Sequence, residues 1–143
     1  MVFSRMPLMD GIFRYQFHVP AAAIDANGHV NNVEYVRWMQ EAATSHADAV
    51  GCTMATQAHG ATWGVRSHRI EYYRPALAGD LVLVRTWVTD FRKVMSLRKY
   101  EFVHAADESV LAAGETDWVY IDSTTGRPRR IPPEIQSMFV LRS

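Results

Sequence analysis

One long helical repeat followed by a succession of alternating strands is the feature of this sequence that most restricts its fold. From Val33 to Val50 apolar residues return at helical spacing, and neither proline nor glycine interrupts the run before Gly51. At 1.5 Å per residue such a helix is about 27 Å long. Its small residues would let it lie close against a sheet: Ala42, Ala43, Ala47 and Ala49.

Residues 12–19 alternate apolar and polar side chains with the period of two that is typical of a half-buried strand, and turn residues divide the chain after the helix into four further predicted strands. The five predicted strands are residues 12–19, 63–75, 80–91, 94–105 and 109–122. Because the connections after the second strand are short, we expect these strands to pair antiparallel in a meander. The order of elements predicts an α+β fold, in which an antiparallel sheet of about five strands wraps around one long helix.

The domain organisation follows from chain length and from the exposed surface of such a sheet. The 143 residues are the length of one domain, which we interpret as a core at about 12–122 and a short C-terminal tail at 123–143. A single sheet wrapped around one helix leaves edges and a face exposed. We therefore expect a homodimer or a dimer of dimers.

Composition and charge narrow the classes of function. Hydrophobic residues make up 48% of the chain and charged residues 21%, which is ordinary for a globular protein. Lysine plus arginine and aspartate plus glutamate number 15 each, which argues against a nucleic acid or an acidic membrane as the main partner.

Targeting and metal signals are also missing from the sequence. The single cysteine, Cys52, allows no internal disulfide and favours a reducing compartment. No signal peptide and no run of about 18 apolar residues is present, and the histidines form no metal-binding motif. We expect a cytoplasmic protein without a metal ion or a membrane span.

A dense polar segment, DANGHVNNVEY, lies directly before the helix. Its Asn27-Gly28 pair is a strong hairpin signal, but the residues that follow have helical rather than alternating periodicity. We therefore favour a loop followed by a helix cap. Asn31 or Asn32 is the candidate N-cap residue, and Glu34 would complete a capping box with Asn31.

The cap leaves three polar residues of this segment unexplained. Asp25, Asn27 and His29 alternate, so an extended loop would point their side chains the same way. The helix amino terminus beside them offers free N–H groups and a partial positive charge, which suit an oxyanion or a polarised carbonyl. A carboxylate there can attack the carbonyl or activate water against it. The pattern indicates hydrolysis or acyl transfer, and a merely solvated, well-capped loop is the alternative.

The same segment resembles the active-site segment of hotdog-fold acyl thioesterases. The string DANGHVNN is similar to the Asp-x-Asn-x-His-Val-Asn-Asn motif of plant acyl-ACP thioesterases. Asp25 and Gly28 also match the Asp-x-x-Gly segment of the 4-hydroxybenzoyl-CoA thioesterase group. The resemblance extends from about Phe13 to Asp122, because strand, helix and further strands come in the family's order.

The resemblance implies an acyl thioester hydrolase that acts on acyl-CoA or acyl-ACP and needs no cofactor besides that carrier. Asp25 would be the nucleophile or the general base. Asn27 would orient Asp25 or the carbonyl, and His29 would position water or stabilise developing charge. The oxyanion would be bound by main-chain N–H groups of the next residues: Gly28, Val30, Asn31 and Asn32.

Two other functions remain open for a chain with this resemblance. One is a hotdog hydratase or dehydratase, whose chemistry normally uses a histidine and a carboxylate on the helix. The other is a non-catalytic module that binds acyl thioesters. Asp25 on the loop before the helix favours hydrolysis. The plant enzymes have a further glutamate near the position where this chain has Pro75, and Glu71 lies four residues earlier.

Basic residues in two turns are candidates for binding the phosphates of coenzyme A. Arg92 and Lys93 lie at a predicted hairpin tip, and a second group follows the last strand, at Arg127, Arg129 and Arg130. Arginine recognises phosphate through two parallel hydrogen bonds, which suits a nucleotide carrier. The alternative is ordinary solvated turn charge.

Overall fold

The computed structural model describes residues 2–3 and 9–143. Its strands form one six-stranded antiparallel sheet in the order β1-β2-β4-β5-β6-β3. They are β1 (Val2–Phe3), β2 (Phe13–His18), β3 (Ala61–Tyr72), β4 (Leu81–Val88), β5 (Met95–His104) and β6 (Val110–Asp122). The helices are α1 (Asn32–Val50), α2 (Cys52–Ala58) and α3 (Pro133–Gln136). The α+β class, the long helix and the five predicted strands are confirmed, whereas β1, α2 and α3 were not predicted.

α1 begins and ends where its local chemistry dictates. The Asn31 side chain accepts a hydrogen bond from the Val33 N–H at 3.0 Å, which caps the amino end. Gly51 ends the helix with a φ of 88°, a left-handed conformation that glycine adopts easily. Within the described ranges, none of the helices is both long enough and apolar enough to cross a membrane.

The buried face of α1 packs against one face of the sheet. Tyr15 of β2 donates its hydroxyl proton to the Trp38 carbonyl at 3.0 Å. The rings of Phe17 and Trp38 lie 4.7 Å apart, and those of Tyr35 and Phe102 lie 5.1 Å apart. Burying each large apolar side chain is worth about 1.5–3 kcal/mol, so this layer holds the helix on the sheet. The alternation that predicted the strands also builds the core, because burial alternates along β2 and β4.

The predicted meander is correct for β4, β5 and β6 and wrong for β3. β3 pairs along its length with β6 and lies at the edge of the sheet. β4 has β2 on its other side, with Phe13 opposite Thr86. The connection 73–80 can reach about 26 Å when extended, whereas three strand spacings are only about 14 Å. A short connection therefore did not force β3 and β4 to pair.

The residues after β6, expected as a short tail over 123–143, fold back beside α2. Ile131 and Ile135 are fully buried, in a second apolar cluster with Cys52 and Tyr120. The polar string TTGRPRRIPPE gave no periodic sign of this packing, because isolated isoleucines form no repeat.

Candidate active site

The Asp25 loop, residues 24–32, is a closed turn at the amino end of α1. Ile24 and Val30 form an isolated antiparallel bridge, and the Asp25 N–H donates to the His29 carbonyl at 2.8 Å. Gly28 has a φ of 79°, which an Asn-Gly turn provides at little cost. The expected loop followed by a helix cap is therefore confirmed, since Asn27 and Gly28 lie in a tight turn and not in a hairpin between two strands. One bridge is enough to close this turn before the helix begins.

The turn fixes one oxygen of the Asp25 carboxylate and leaves the other available. Oδ1 accepts hydrogen bonds from the Asn27 N–H at 2.9 Å and the His29 N–H at 3.4 Å. Oδ2 accepts none from the described residues, and the side chain is half-buried. The carboxylate is thus oriented by its own loop, with one oxygen able to react.

The extended loop that would have pointed the side chains of Asp25, Asn27 and His29 the same way does not form, because the chain turns at Gly28. Asn27 and His29 are exposed, and within the described ranges neither side chain bonds to the Asp25 carboxylate. They reach Asp25 through their main-chain N–H groups instead.

Three of the four amides expected to bind the oxyanion are already used within the chain. The N–H of Gly28 donates to the Asp25 carbonyl at 3.1 Å, that of Val30 to Ala76 at 3.0 Å, and that of Asn31 to Ala23 at 2.9 Å. Of the Gly28–Asn32 amides, only the Asn32 N–H finds no acceptor in the described part of the chain. The geometry thus reduces the predicted oxyanion site to Asn32, the first residue of α1.

The predicted capping box is half correct. Asn31 is the N-cap residue, but the Glu34 side chain pairs with Arg37 rather than with the Asn31 N–H. The Asn31 N–H is already bonded to the Ala23 carbonyl, so the reciprocal bond of a capping box has no donor.

The connection between β3 and β4 supports the Asp25 loop from the sheet side. The Ala76 carbonyl of this connection accepts a hydrogen bond from the Val30 N–H. Just before the connection, Tyr72 at the end of β3 packs edge to face on Tyr35 of α1, with the rings 5.3 Å apart. Burial raises the pKa of Tyr35 to about 12, which keeps this phenol neutral beside the loop. Tyr73 and Leu77 on the same connection are exposed apolar residues on either side of Ala76, and the sequence did not indicate them.

The phosphate candidates differ in how free they are. Arg92 bonds to Asp90 at 3.2 Å and to Asp117 at 2.5 Å, so much of its guanidinium is already paired. Lys93 is exposed at a φ of 55° and forms no ion pair with a described residue. Arg129 pairs with Asp122 at 3.2 Å. Phosphate binding stays a prediction, and Lys93 is more available to a phosphate than Arg92 because it forms no ion pair with a described residue.

Two cavities lie away from the Asp25 loop. One of about 270 Å³ lies beside the C-terminal half of α1, and another of about 290 Å³ lies on the sheet over β3 to β6. Neither is lined by a residue of the Asp25 loop. Among the described residues, no three His, Cys, Asp or Glu side chains are grouped to hold a metal ion.

Known proteins resemble this chain in sequence and in fold. The model of the thioesterase-like superfamily matches residues 19–139. The acyl-CoA thioester hydrolase YbgC of Escherichia coli is 27% identical over 132 residues, which cover 90% of this chain and 96% of that protein.

The 1,4-dihydroxy-2-naphthoyl-CoA thioesterase from Synechocystis superposes with a TM-score of 0.80 at 23% identity, over 90% of this chain and 95% of that one. The 12:0-ACP thioesterase from Umbellularia californica superposes with a TM-score of 0.82 at 22% identity, over 92% of this chain and 51% of that one. This chain likewise spans 53% of a similar Lactobacillus plantarum structure. The family model matches most of the chain, which therefore belongs to the thioesterase-like superfamily, and its antiparallel sheet packed around α1 is the hotdog fold.

Proposed function

We propose that this chain is an acyl-CoA thioester hydrolase in which Asp25 is the catalytic carboxylate. The observation that carries the proposal is the geometry of Asp25, whose Oδ1 is held by two main-chain N–H groups while Oδ2 is unoccupied by described residues. The family match and the relative that is an acyl-CoA thioester hydrolase support the substrate class. An acyl-ACP is the alternative carrier.

The Asn32 N–H would bind the thioester carbonyl oxygen. It is the free amide at the amino end of a 19-residue helix, where the helix dipole adds a partial positive charge. Such a donor stabilises the negative charge that develops on the oxygen as the carbonyl carbon becomes tetrahedral. Asp25 and Asn32 lie on the same closed loop, so the carboxylate and the donor are held together by local bonds.

The reaction can proceed by two routes from this geometry. In the first, Oδ2 of Asp25 attacks the carbonyl carbon, the C–S bond breaks, and the released thiolate takes a proton from water; a water molecule then cleaves the mixed anhydride. In the second, Oδ2 takes a proton from water as that water attacks the carbonyl carbon; the C–S bond then breaks, and the departing thiolate receives that proton. Both consume one water and give the free acid and the thiol. Single turnover in ¹⁸O-labelled water separates them, because only the first route leaves label in Asp25.

The side chains of Asn27 and His29 would act on the substrate side of the loop. Both are exposed and unbonded to Asp25, so they are available to the carbonyl, to the attacking water or to the carrier. Hydratase chemistry is less well supported, because His46, the histidine of α1, is buried against Arg98 instead of facing a carboxylate.

We extend the proposal to a homodimer joined through the edge strand β3. β3 is 12 residues long, its residues are mostly exposed, and Val65 is 39% exposed. A long exposed edge strand is a template for pairing with another chain. The Tyr72 end of β3 lies against Tyr35, close to the Asp25 loop, and its Trp63 end lines the 270 Å³ cavity.

Antiparallel pairing of two β3 strands about a two-fold axis would place these two ends side by side. The cavity of one copy would then approach the Asp25 loop of the other and complete an acyl pocket that one copy lacks. A dimer of dimers would add a second contact to this pair.

We also propose that the reaction needs no cofactor beyond the carrier of the acyl group, since both routes use only a carboxylate, an amide and water. A cytoplasmic address is consistent with the single buried cysteine, Cys52, which suits a reducing compartment.

Release of free thiol from a panel of acyl-CoAs tests the function. Asp25→Asn and Asp25→Ala should each lower kcat/KM by about 10²-fold or more, the scale of losing an acid-base or nucleophilic group. Asp48→Asn is the matched control, because it removes an exposed carboxylate at the other end of α1. Wild-type rates in both Asp25 variants would remove Asp25 from the mechanism, and binding without turnover by the wild type would favour a non-catalytic module.

Sedimentation equilibrium tests the dimer. Val65→Lys places a charge on the edge of β3 and should shift the chain towards the monomer. Met54→Lys is the control, since Met54 is 77% exposed on α2 and lies outside the strand. An unchanged dimer in Val65→Lys would place the interface elsewhere.

A further inference from the structure

The cavity beside the C-terminal half of α1 has an unusual combination of walls. Its volume is about 270 Å³, and its aromatic lining comes from Trp63 on β3, Phe91 after β4, Trp118 on β6 and Phe139 near the carboxy terminus. The side chain of Arg98 on β5 also lines it. No aspartate or glutamate is among the lining residues, so Arg98 is the one charged side chain in the lining.

Arg98 is a buried cation without a carboxylate partner. It is only 5% exposed, and no described acidic residue forms an ion pair with it. Its Nη1 donates to His46 Nδ1 at 2.8 Å and to Thr86 Oγ1 at 3.1 Å, both neutral acceptors. Its Nε and Nη2 donate to no described residue. Three N–H donors of the guanidinium, one on Nε and two on Nη2, are therefore unused by described residues.

The surroundings of Arg98 leave its charge uncompensated. Burial, and then the nearby Arg98 charge, lower the pKa of His46 to about 3, so the imidazole stays neutral. It accepts a hydrogen bond from Arg98 but does not neutralise the guanidinium charge. The Phe139 ring lies 5.9 Å from the guanidinium carbon and contributes a weak cation–π contact. A buried cation of this kind is costly unless an anion pairs with it.

We propose that this cavity binds an organic carboxylate, with the carboxyl group on the free donors of Arg98 and an apolar body against the aromatic walls. The guanidinium presents parallel donors that match the two oxygens of a carboxylate. The cavity volume of about 270 Å³ leaves room for a small organic acid. Exposed lining residues give a polar mouth: Thr44, Gln57 and Thr62.

Two sources of this chemistry fit the cavity. One is a free acid of this size, which is also the kind of product that the proposed hydrolysis releases. The other is the distal carboxylate of an acyl group still attached to its carrier. Only the connection to hydrolysis depends on the proposed function; the binding of a carboxylate at Arg98 does not.

Calorimetric titration with octanoate and benzoate tests the binding in the full chain. The wild type should bind at least one of them saturably, and 1-octanol or benzyl alcohol should bind more weakly because each lacks the charge. Arg98→Met should weaken binding by at least about 30-fold, since it removes one partner of a desolvated ion pair. Arg85→Met is the control, because Arg85 pairs with Glu101 at 2.7 Å and does not line the cavity.

A second variant tests octanoate binding without changing Arg98, whose replacement could also affect folding. Ala47→Leu fills part of the cavity from α1 while Arg98 stays in place, and it should also weaken octanoate binding. As a spectroscopic check, 8-bromooctanoate should quench tryptophan fluorescence through Trp63 and Trp118. Absence of saturable binding by the wild type, or equal affinity in wild type and folded Arg98→Met, would overturn the proposal.

A kinetic arm separates the two sources. Faster hydrolysis of an ω-carboxyacyl-CoA than of its uncharged counterpart, lost in Arg98→Met, would show that the carboxylate belongs to the substrate. Binding of octanoate without such a preference would show a separate site for a free acid. Because calorimetry needs no turnover, a failure of the hydrolase proposal would leave the binding result intact.

Discussion

The two ends of α1 use polar residues in opposite ways. At the amino end, the Asp25 loop is built from bonds between near neighbours, and most of its residues are exposed. Towards the carboxy end, the Arg98 cluster (His46, Thr86, Arg98 and Phe139) is assembled from α1, β4, β5 and the chain after α3, and its first three residues are buried.

The difference lies in what fixes each group. The Asp25 carboxylate is oriented by amides within four residues of it, so the loop can keep its geometry while the surroundings change. Arg98 is oriented by residues far away in the sequence, and it stays charged in an apolar setting only because the fold holds its acceptors. Substitutions should therefore affect activity at the first end and stability at the second.

The largest effect on stability is expected from Arg98→Ala. It leaves a hole in the core and deprives His46 and Thr86 of their donor, so the free energy of unfolding should fall by about 3 kcal/mol. Arg98→Met keeps most of the volume and removes a buried charge, so it should cost less than half of that. Urea unfolding measures the free energy of unfolding of both variants. Arg37→Ala is the control, because replacing this exposed arginine should lower that free energy by about 0.5 kcal/mol or less. Equal losses in Arg98→Ala and Arg37→Ala would mean that the two ends do not differ.

The next effect is a dependence of stability on pH through His46. Its pKa is about 3 in the folded chain and 6.5 in the reference state, so unfolding takes up a proton as the pH falls below 6.5. The stabilisation is complete above that value and is lost towards pH 3. Between pH 7.5 and pH 5 the loss should be about 2 kcal/mol.

His46→Gln should remove this pH dependence, because the glutamine oxygen can still accept from Arg98 but does not titrate. The comparison of the two proteins by chemical unfolding at each pH isolates His46 from the other histidines. A slope that is unchanged in His46→Gln would assign the dependence to another group.

Gly28→Ala tests the turn at the amino end, with a smaller cost. The φ of 79° disfavours alanine, whereas no atom lies within 4 Å of the added Cβ, so the cost is conformational only and about 1.5 kcal/mol. Gly28→Asn should cost less, since asparagine tolerates this conformation. Thermal unfolding measures the stability, and thiol release should fall with it if the turn orients Asp25. A loss of stability without any change in rate would separate the turn from the chemistry.

The smallest effect is expected from the helix cap. Asn31→Ala removes the acceptor for the Val33 N–H and should cost about 1 kcal/mol, whereas Asn31→Ser or Asn31→Asp should restore most of it. Urea unfolding of the three variants measures the difference. If Asn31→Ala were as stable as Asn31→Ser, the side-chain cap would contribute nothing.

The fold could largely be predicted because its signals are periodic. The helical repeat from Val33 and the alternation in β2, β4 and β5 report directly which side chains face the core. The partner of β3 could not be predicted, because strand alternation carries no information on which strand lies next to it. The buried isoleucines after β6 were missed for a related reason, since Ile131 and Ile135 pack without forming a repeat.

The candidate site was predictable in composition and not in geometry. Asp25 and the Asn31 cap stood out as residue types, but the direction of the Asp25 loop depended on the bridge between Ile24 and Val30. The turn, the bridge and the Ala76 carbonyl use three of the amides expected to bind the oxyanion and leave the Asn32 N–H. No sequence pattern marked Arg98, because its lack of a counter-charge is visible only once its neighbours are known.

The sequence by itself determined the helix, its cap, the strands and the polar residues that precede the helix, because each of these depends on interactions between residues close together in the chain. Tertiary structure alone decided the order of the strands, the hydrogen bond that joins Val30 of the Asp25 loop to Ala76, and the burial of Arg98 without an ion pair to a described acidic residue. The physical reason is that pairing and burial depend on which distant segments meet, and desolvation turns an ordinary arginine into a cation that requires an anion.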